Sequence, residues 1–185
     1  MERHAENARE RIIDAAEQVV IEAGAGHLTL EAVAAKAGVS RGGFLYHFPN
    51  KEAMLKGMLD RFRRQIDESR TKMLSKTPAG PEREAGAYVQ TFLAEDGDKY
   101  KYVTAAIIAS GAHAPELLAT ARLGYRQSLT DLTKDGLRFE RAAVITLATQ
   151  GLRLIEVLSL SPFNDEERRS IVEELLSLTK ESKEA

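Results

Sequence analysis

Residues 29–51 carry side chains of the kind that contact nucleic acids. Between Ala32 and Lys51 there are three cations and one histidine but no acidic residue, although the whole chain has 26 basic and 28 acidic residues and a formal charge of -2. Hydroxyl groups, and backbone amides at the start of a helix, can donate hydrogen bonds to phosphate oxygens. The segment therefore predicts a local positive surface that could bind phosphate. Its cations are Lys36, Arg41 and Lys51, with His47 beside them, and its hydroxyls lie on Ser40 and Tyr46.

Two short helices joined by a tight turn would position these side chains. Thr29 is a suitable N-cap for a helix over residues 30–37, and Ser40 is one for a second helix over residues 41–48. Gly38, between them, can adopt the positive φ that a tight turn requires. Three further residues complete a helix-turn-helix pattern. Ala34 is a small residue where the two helices would touch, and Val39 and Phe44 are apolar residues that would hold the second helix on the first. A plain αα-hairpin in a helical bundle is the alternative.

Gly42 and Gly43 fall in the first turn of the second short helix. Each costs about 1 kcal/mol of helix propensity relative to alanine, so stability alone does not explain them. A missing side chain lets the backbone approach another surface closely, and for a helix that enters DNA that surface is the major groove. A tight helix–helix crossing within the protein is the alternative.

Composition excludes several classes of protein. Hydrophobic residues make up 43% and charged residues 29% of the 185 residues, which is typical of a folded domain or two. The chain has no cysteine, which excludes disulfides, thiolate zinc sites and cysteine nucleophiles. No phosphate-binding loop, Gly-x-Ser-x-Gly motif or metal-ligand cluster is present, so we expect no enzyme activity and no cofactor. The absence of a leader-like apolar run and of about 18 consecutive apolar residues predicts a cytoplasmic protein without a membrane segment.

Apolar residues recur at helical spacing along most of the chain, and no segment alternates as a strand would. We therefore predict an all-α fold of about nine helices. The long helices are predicted over residues 5–23, 50–75, 81–95, 99–110, 115–134, 140–160 and 165–183.

The first 60 residues resemble the DNA-binding region of the TetR (TetR/AcrR) family of bacterial transcriptional regulators. The resemblance rests on Arg11-Ile12-Ile13-x-Ala15-Ala16, Gly24, Leu28-Thr29, Val33-Ala34, Ala37-Gly38-Val39-Ser40, Gly42 and Phe48-x-x-Lys51-Glu52. Where the family most often has tyrosine, this chain has Leu45, followed by Tyr46. A second segment resembles one found in the ligand domain of a subset of the family; it reads Ala112-His113-Ala114-Pro115-Glu116-Leu117-Leu118.

This resemblance implies two domains and a function. An N-terminal three-helix DNA-binding domain, residues 5–66, would be joined through a long helix to a helical effector-binding and dimerisation domain, residues 67–185. The chain would be a sequence-specific transcriptional regulator, most often a repressor in this family, that binds double-stranded operator DNA as a homodimer and is released by a small-molecule effector. The alternatives are a DNA-binding protein without an effector and a helical interaction scaffold.

If the chain is such an operator-binding regulator, its DNA-binding residues have two roles. Bases would be faced by Arg41, Gly43 and Phe44, with Gly42 beside them. Phosphates would be held by Thr29, Ser40, Tyr46, His47 and Lys51.

The second domain has residues compatible with an effector pocket and a dimer interface. Candidate effector-binding residues, mostly aromatic, are Met58, Phe62, Tyr88, Phe92, Tyr102, His113 and Tyr125. For each of them, a position in a core or on the surface is the alternative. His113 and Glu116 alone are too few ligands for a metal. Candidate dimer-interface residues on the last two helices are Leu147, Gly151, Leu154, Leu158, Ile171, Leu175 and Leu178. Packing of both helix faces within one subunit is the alternative.

Overall fold

The computed structural model describes residues 2–77, 80, 82–93, 104, 115–134 and 136–180. In these ranges the chain forms eight α-helices and one short 3-10 helix and contains no strand, which confirms the all-α prediction. The predicted helix over residues 99–110 lies outside the described residues, so the count of nine stays a prediction. The helices are α1 (Glu2–Ala23), α2 (Leu30–Ala37), α3 (Arg41–His47), α4 (Lys51–Lys76), α5 (Arg83–Leu93), α6 (Pro115–Lys134), α7 (Phe139–Val157) and α8 (Asp165–Thr179), with the 3-10 helix Ala25–His27 after α1.

The chain divides into two compact units. The N-terminal unit consists of residues 1–63 and 98–119, and the C-terminal unit consists of residues 64–97 and 120–185. The helices α4 and α6 each contribute residues to both units. The predicted domain division between residues 66 and 67 stays a prediction.

The first four helices share one apolar core. The side chains of α1 that face this core follow helical spacing, and Ile12, Ala16 and Val20 are at most 2% exposed. In α4, a Cβ atom added to Gly57 would lie 2.8 Å from Cε1 of Phe48. Glycine at this position therefore lets α4 pack directly against the Phe48 ring, which follows α3 in the sequence.

The C-terminal unit has its own core, built from α5, the end of α6, α7 and α8. Tyr88, Leu132 and Ile145, from three of these helices, are at most 1% exposed. The start of α8 is fixed by a capping box, in which Oδ1 of Asn164 accepts from the Glu167 N–H at 3.0 Å and the Glu167 carboxylate accepts from the Asn164 N–H at 2.9 Å. None of the described helices is long and apolar enough to span a bilayer.

Candidate nucleic-acid interface and effector region

The turn between α2 and α3 has the geometry that Gly38 predicts. Gly38 lies in the left-handed region, with φ 64° and ψ 37°. Its N–H donates to the carbonyl of Ala35 at 3.2 Å, and the N–H of Val39 donates to the carbonyl of Ala34 at 3.0 Å. These two bonds form a Schellman motif, which satisfies the last carbonyls of α2 while the chain reverses. Arg11 of α1 donates to the Ala37 carbonyl at 2.8 Å and so attaches this turn to α1.

Side-chain caps start both short helices, as the sequence predicts. Oγ1 of Thr29 accepts from the Ala32 N–H at 3.1 Å, and Oγ of Ser40 accepts from the Gly43 N–H at 3.0 Å. In each cap the hydroxyl oxygen is an acceptor, so its hydrogen is left to donate to a phosphate. Both residues are exposed. The caps therefore fix the positions of two candidate phosphate ligands.

Neither glycine of α3 lies at a crossing with another helix that the structure describes. A Cβ at Gly43 would meet only the preceding turn among the described residues, with Oγ of Ser40 at 3.3 Å and Cβ of Val39 at 3.8 Å. A Cβ at Gly42 would have Ser40 Oγ at 4.0 Å as its only described neighbour. Nothing in the described residues therefore supports the alternative of a tight crossing within the protein. Gly43 relieves crowding beside the Ser40 cap, and Gly42 leaves open backbone on the outer face of α3.

The outer face of α3 is polar and exposed. The Arg41 side chain is 76% exposed, and Tyr46 is 80% exposed. The ring of Tyr46 contacts His47, which is half-buried, edge to face with centroids 5.0 Å apart. Lys51, at the first position of α4, is also half-buried. All four stay candidate DNA ligands.

One predicted DNA contact is corrected. Phe44 is 1% exposed and packs against Phe48, with ring centroids 6.0 Å apart. The two rings are four residues apart on one helical face, and that face closes the core of α1–α4. Phe44 therefore holds α3 in place and cannot contact a base.

Leu45 is a candidate contact that the sequence analysis missed. It is 38% exposed and follows Arg41 by four residues, so the two share the outer face of α3. An exposed apolar side chain there could contact a thymine methyl group. The helical spacing from Arg41 was the signal that could have identified it.

Two of the three cations in the acid-free stretch have acidic partners from elsewhere in the chain. Nη1 of Arg41 lies 3.3 Å from Oε1 of Glu31, and Nζ of Lys36 lies 2.7 Å from Oε1 of Glu22 in α1. These pairs are exposed, so each contributes at most about 1 kcal/mol and can exchange for phosphate. The local positive surface is weaker than the linear sequence predicts.

The predicted effector-binding residues are divided between two cores. Met58 is fully buried in the N-terminal core, and Phe62 packs partly buried against it. For Met58 this burial supports the alternative, a core position, over the predicted contact with an effector, because this turn of α4 faces α1–α3. Tyr88 and Phe92 are together in the C-terminal core with ring centroids 4.8 Å apart, and Tyr125 is 48% exposed. Tyr102 and His113 lie outside the described residues.

Polar side chains surround Tyr88 in the C-terminal unit. Nε2 of Gln150 in α7 donates to the Tyr88 hydroxyl at 2.8 Å, and the Arg153 guanidinium lies 5.3 Å from the centre of the Phe92 ring. Burial raises the pKa of Tyr88 to about 12, which keeps its phenol neutral. The buried hydroxyls of Thr91 and Thr149, elsewhere in this unit, have no hydrogen-bond partner among the residues that the structure describes. Gln150 and Arg153 were missed by the sequence analysis because only the packing of α5 on α7 brings them to Tyr88.

A separate open groove of about 360 Å³ lies on the C-terminal unit, and no predicted effector-binding residue lines it. Its lining residues are Met73, Gln90, Leu93, Arg168, Arg169, Val172 and Glu173. No group of three or more potential metal ligands occurs among the residues that the structure describes.

The candidate dimer-interface residues fall into two sets. On α7, Leu147 is 73% exposed and Leu154 is 41% exposed, and Leu158, the C-cap of this helix, is 43% exposed. Gly151 lies between them, and an added Cβ would meet nothing within 4 Å. On α8, Ile171 and Leu178 are half-buried against their own core.

Leu175 corrects the predicted interface. It is 4% exposed inside the C-terminal core, so it is not available to a second subunit. The alternative of packing within one subunit therefore holds for this part of α8, whereas the apolar row Leu147, Leu154 and Leu158 is exposed.

Models of two protein families match the chain. The model described as "Bacterial regulatory proteins, tetR family" matches residues 12–58, and "Tetracyclin repressor-like, C-terminal domain" matches residues 82–180. The second match alone covers more than half of the 185 residues. The chain belongs to the TetR family of bacterial regulatory proteins, and the predicted family is confirmed.

Individual proteins are similar to parts or to all of the chain. The HTH-type transcriptional regulator SrpR of Pseudomonas putida is 46% identical over 55 residues, which are 30% of this chain and 26% of SrpR. The crystal structure of a transcriptional regulator from Rhodococcus sp. Rha1 has 25% identity and a TM-score of 0.74, covering 92% of this chain and 95% of that one. The multidrug binding protein EbrR complexed with imidazole has 25% identity and a TM-score of 0.66, covering 90% and 93%.

The match to SrpR spans about a quarter of that regulator, whereas the solved structures match along nearly their whole length. Because the family and these relatives are regulators, the prediction that the chain is not an enzyme is confirmed. The particular residues that bind DNA, effector or a second subunit stay predictions.

Proposed function

We propose that this chain is a homodimeric repressor that binds a pseudo-palindromic operator through α3 and releases it on binding a small-molecule effector. The observation that carries the proposal is the exposed outer face of α3, held on a buried core by Phe44 and capped by Ser40. A short capped helix with an exposed arginine, after a Gly38 turn, is the arrangement by which helix-turn-helix proteins enter the major groove.

Arg41 and Lys51 have different proposed roles. Arg41, on the outer face of α3, would donate to a base edge, since arginine pairs well with the two acceptors of guanine. To do so it leaves Glu31, an exposed pair whose loss costs at most about 1 kcal/mol. Lys51, at the start of α4, would hold a phosphate, which contributes affinity but no sequence preference.

The first experiment selects bound fragments from the genome of the source and measures affinity for a selected fragment and for random DNA over a salt series. Lys51→Ala should weaken both and reduce the salt slope by about one unit, whereas Arg41→Ala should lose about 1–3 kcal/mol on the selected fragment only. Glu31→Gln is the matched control, because it frees Arg41 and removes a negative charge; it should bind more tightly. Equal losses on both DNAs for Arg41→Ala would refute its role in base recognition. If no DNA fragment is selected at all, the result favours an interaction scaffold.

The effector part of the proposal is supported by the polar cluster around Tyr88 and by the structure of EbrR complexed with imidazole. The buried hydroxyls of Thr91 and Thr149 have no partner in the described part of the chain, so they could hydrogen-bond to a bound molecule. Compounds that raise the melting temperature of the free protein should release the selected DNA. Tyr88→Phe should weaken that stabilisation without changing operator affinity. If no stabilising compound affects DNA binding, the chain is a DNA-binding protein without an effector.

The exposed apolar row on α7 supports the homodimer. A two-fold axis beside this helix would bury Leu147, Leu154 and Leu158 against their copies, and Gly151 would let the helices approach closely. Two DNA-binding units would then contact half-sites about one turn, roughly 34 Å, or a small multiple apart. Sedimentation of the free protein at micromolar concentration tests the dimer, and a monomer throughout would refute it.

A further inference from the structure

A leucine side chain lies on the outer face of α3, the face that carries the proposed DNA contacts. Leu45 is 38% exposed, whereas the residue before it, Phe44, is 1% exposed. Within the described residues of α1–α4, the exposed large apolar and aromatic side chains are Ile21, Leu45 and Tyr46. Leu45 belongs neither to the described core of these helices nor to the apolar side chains packed against that core. Burial within its own unit therefore does not account for an apolar residue at this position.

The direction in which Leu45 points is fixed by the way α3 is held. Phe44 lies in the core with its ring centroid 6.0 Å from that of Phe48. Successive residues of a helix are about 100° apart around its axis, so anchoring Phe44 sets the rotation of the whole helix. Leu45 follows Arg41, whose side chain is 76% exposed, by four residues. The two side chains are therefore neighbours on the same side of α3.

Gly42 lets the backbone beside these two side chains approach another surface. A Cβ at this position would have only Oγ of Ser40, 4.0 Å away, as a described neighbour. Leucine is a short side chain, so it reaches a base edge only where the helix backbone lies close to the floor of the groove. The missing side chain at Gly42 permits this close approach.

The chemistry of the major groove decides which group suits Leu45. Base edges there present hydrogen-bond donors and acceptors and one apolar group, the C5-methyl group of thymine. Leucine has no donor or acceptor, so the thymine methyl is the group that it complements. We infer that Leu45 is a specificity-determining residue that contacts the C5-methyl group of a thymine close to the guanine bound by Arg41. This rests on the proposed function, in which α3 enters the major groove.

Helix geometry also places the thymine relative to the guanine. Residues four apart are about 6 Å apart along a helix axis, whereas successive base pairs of DNA are about 3.4 Å apart. The thymine of Leu45 therefore lies within about two base pairs of the guanine of Arg41. Each half-site of the operator contains this pair of bases.

Replacement of thymine by deoxyuridine tests the methyl contact in the wild-type protein. Deoxyuridine pairs as thymine does but lacks the methyl group. Each thymine of the selected DNA fragment is replaced in turn, at the equivalent positions of both half-sites. Loss of one buried methyl group weakens binding about fourfold, which becomes about 15-fold when both half-sites are changed. If no replacement weakens binding by more than about twofold, the inference is overturned.

The variant Leu45→Ala tests whether this side chain makes the contact. Without its partner the methyl group contributes nothing, so the thymine and deoxyuridine fragments should bind within about twofold of each other. Ile21→Ala is the matched control, because Ile21 is also an exposed apolar residue of this unit but lies on α1; it should keep the full wild-type loss. A loss that persists in Leu45→Ala, or that disappears in Ile21→Ala, would overturn the inference. Leu45→Gln, which fills the same space with a polar group, gives the same test if Leu45→Ala does not fold.

The guanine is located with Arg41→Ala, as the one whose replacement by adenine weakens the wild type but not this variant. A sensitive thymine more than about three base pairs from that guanine would overturn the inference. The inference and the proposed function fail differently. If no DNA fragment is selected, both are refuted. If a fragment is selected and Arg41→Ala loses its preference for it, but no thymine behaves as described, DNA recognition by α3 stands and the role of Leu45 is refuted.

Discussion

Truncation of Leu147 measures how much the exposed row of α7 contributes to dimerisation. Leu147 is 73% exposed in the single chain, so nearly three quarters of its surface is available for burial by a second subunit. Leu147→Ala removes three carbons, worth about 2.4 kcal/mol at about 0.8 kcal/mol per buried carbon. Scaling by the exposed fraction leaves about 1.8 kcal/mol for each subunit.

The two-fold axis doubles this effect, because a self-complementary interface contains the substitution twice. The expected loss is about 3.5 kcal/mol per dimer, which raises the dimer Kd about 300-fold. Folding of the subunit should change by less than about 0.5 kcal/mol, since the side chain is exposed there. Helical circular dichroism of the variant checks that it is folded.

Sedimentation over a dilution series gives the Kd of the wild type and the variant. Leu123→Ala is the matched control, because Leu123 is 67% exposed but lies on α6; its Kd should equal that of the wild type. The reasoning is refuted if Leu147→Ala dimerises like the wild type. A larger effect at Leu123 would place the interface on α6 instead.

Three further substitutions test the folded units. Phe44→Ala should lower the free energy of unfolding by about 3–5 kcal/mol in urea titrations because it empties a core position, whereas Tyr46→Ala, at an 80% exposed residue, should leave it unchanged; comparable losses would contradict the burial of Phe44. Gly38→Ala should cost about 1–2 kcal/mol in the same assay, since φ of 64° strains an L-residue, and an unchanged midpoint would mean that the turn has relaxed. Hydrogen bonds from Lys134, Arg70 and Gln127 outweigh burial and lower the pKa of Asp131, so its stabilising effect is present above its unfolded pKa of about 3.9 and is lost as the pH falls through the lower folded value. Asp131→Asn should therefore weaken the acid dependence of unfolding below about pH 4; the same pH slope as in the wild type would refute this.

Local signals in the sequence determined the helix boundaries near the candidate DNA site. The helix predicted over residues 30–37 is α2, and the predicted start of the next helix at Arg41 is the start of α3. The caps at Thr29 and Ser40 and the turn at Gly38 use hydrogen bonds that span at most five residues. Such interactions depend on neighbouring residues alone, so sequence reasoning could identify them.

The faces of the helices were only partly predictable. The four-residue spacing of Phe44 and Phe48 was visible in the sequence, but α3 has seven residues, which is too short for periodicity to decide which side is covered. On α8, Leu175 and Leu178 belong to the same apolar set, yet Leu175 is buried and Leu178 only half-buried. Which side of an amphipathic helix faces a core depends on the helices that pack against it.

Tertiary structure alone decided the long-range polar contacts. Arg61 meets Glu17 across 44 residues, Tyr88 meets Gln150 across 62, and Arg70 meets Asp131 across 61. Many acidic residues could have paired with each arginine, and helical spacing does not rank partners on different helices. The sequence by itself determined the family, the helices and the turn that presents α3. The ion pairs and the packing of α4 depended on how whole helices fill each of the two cores, because that is a property of all their side chains together.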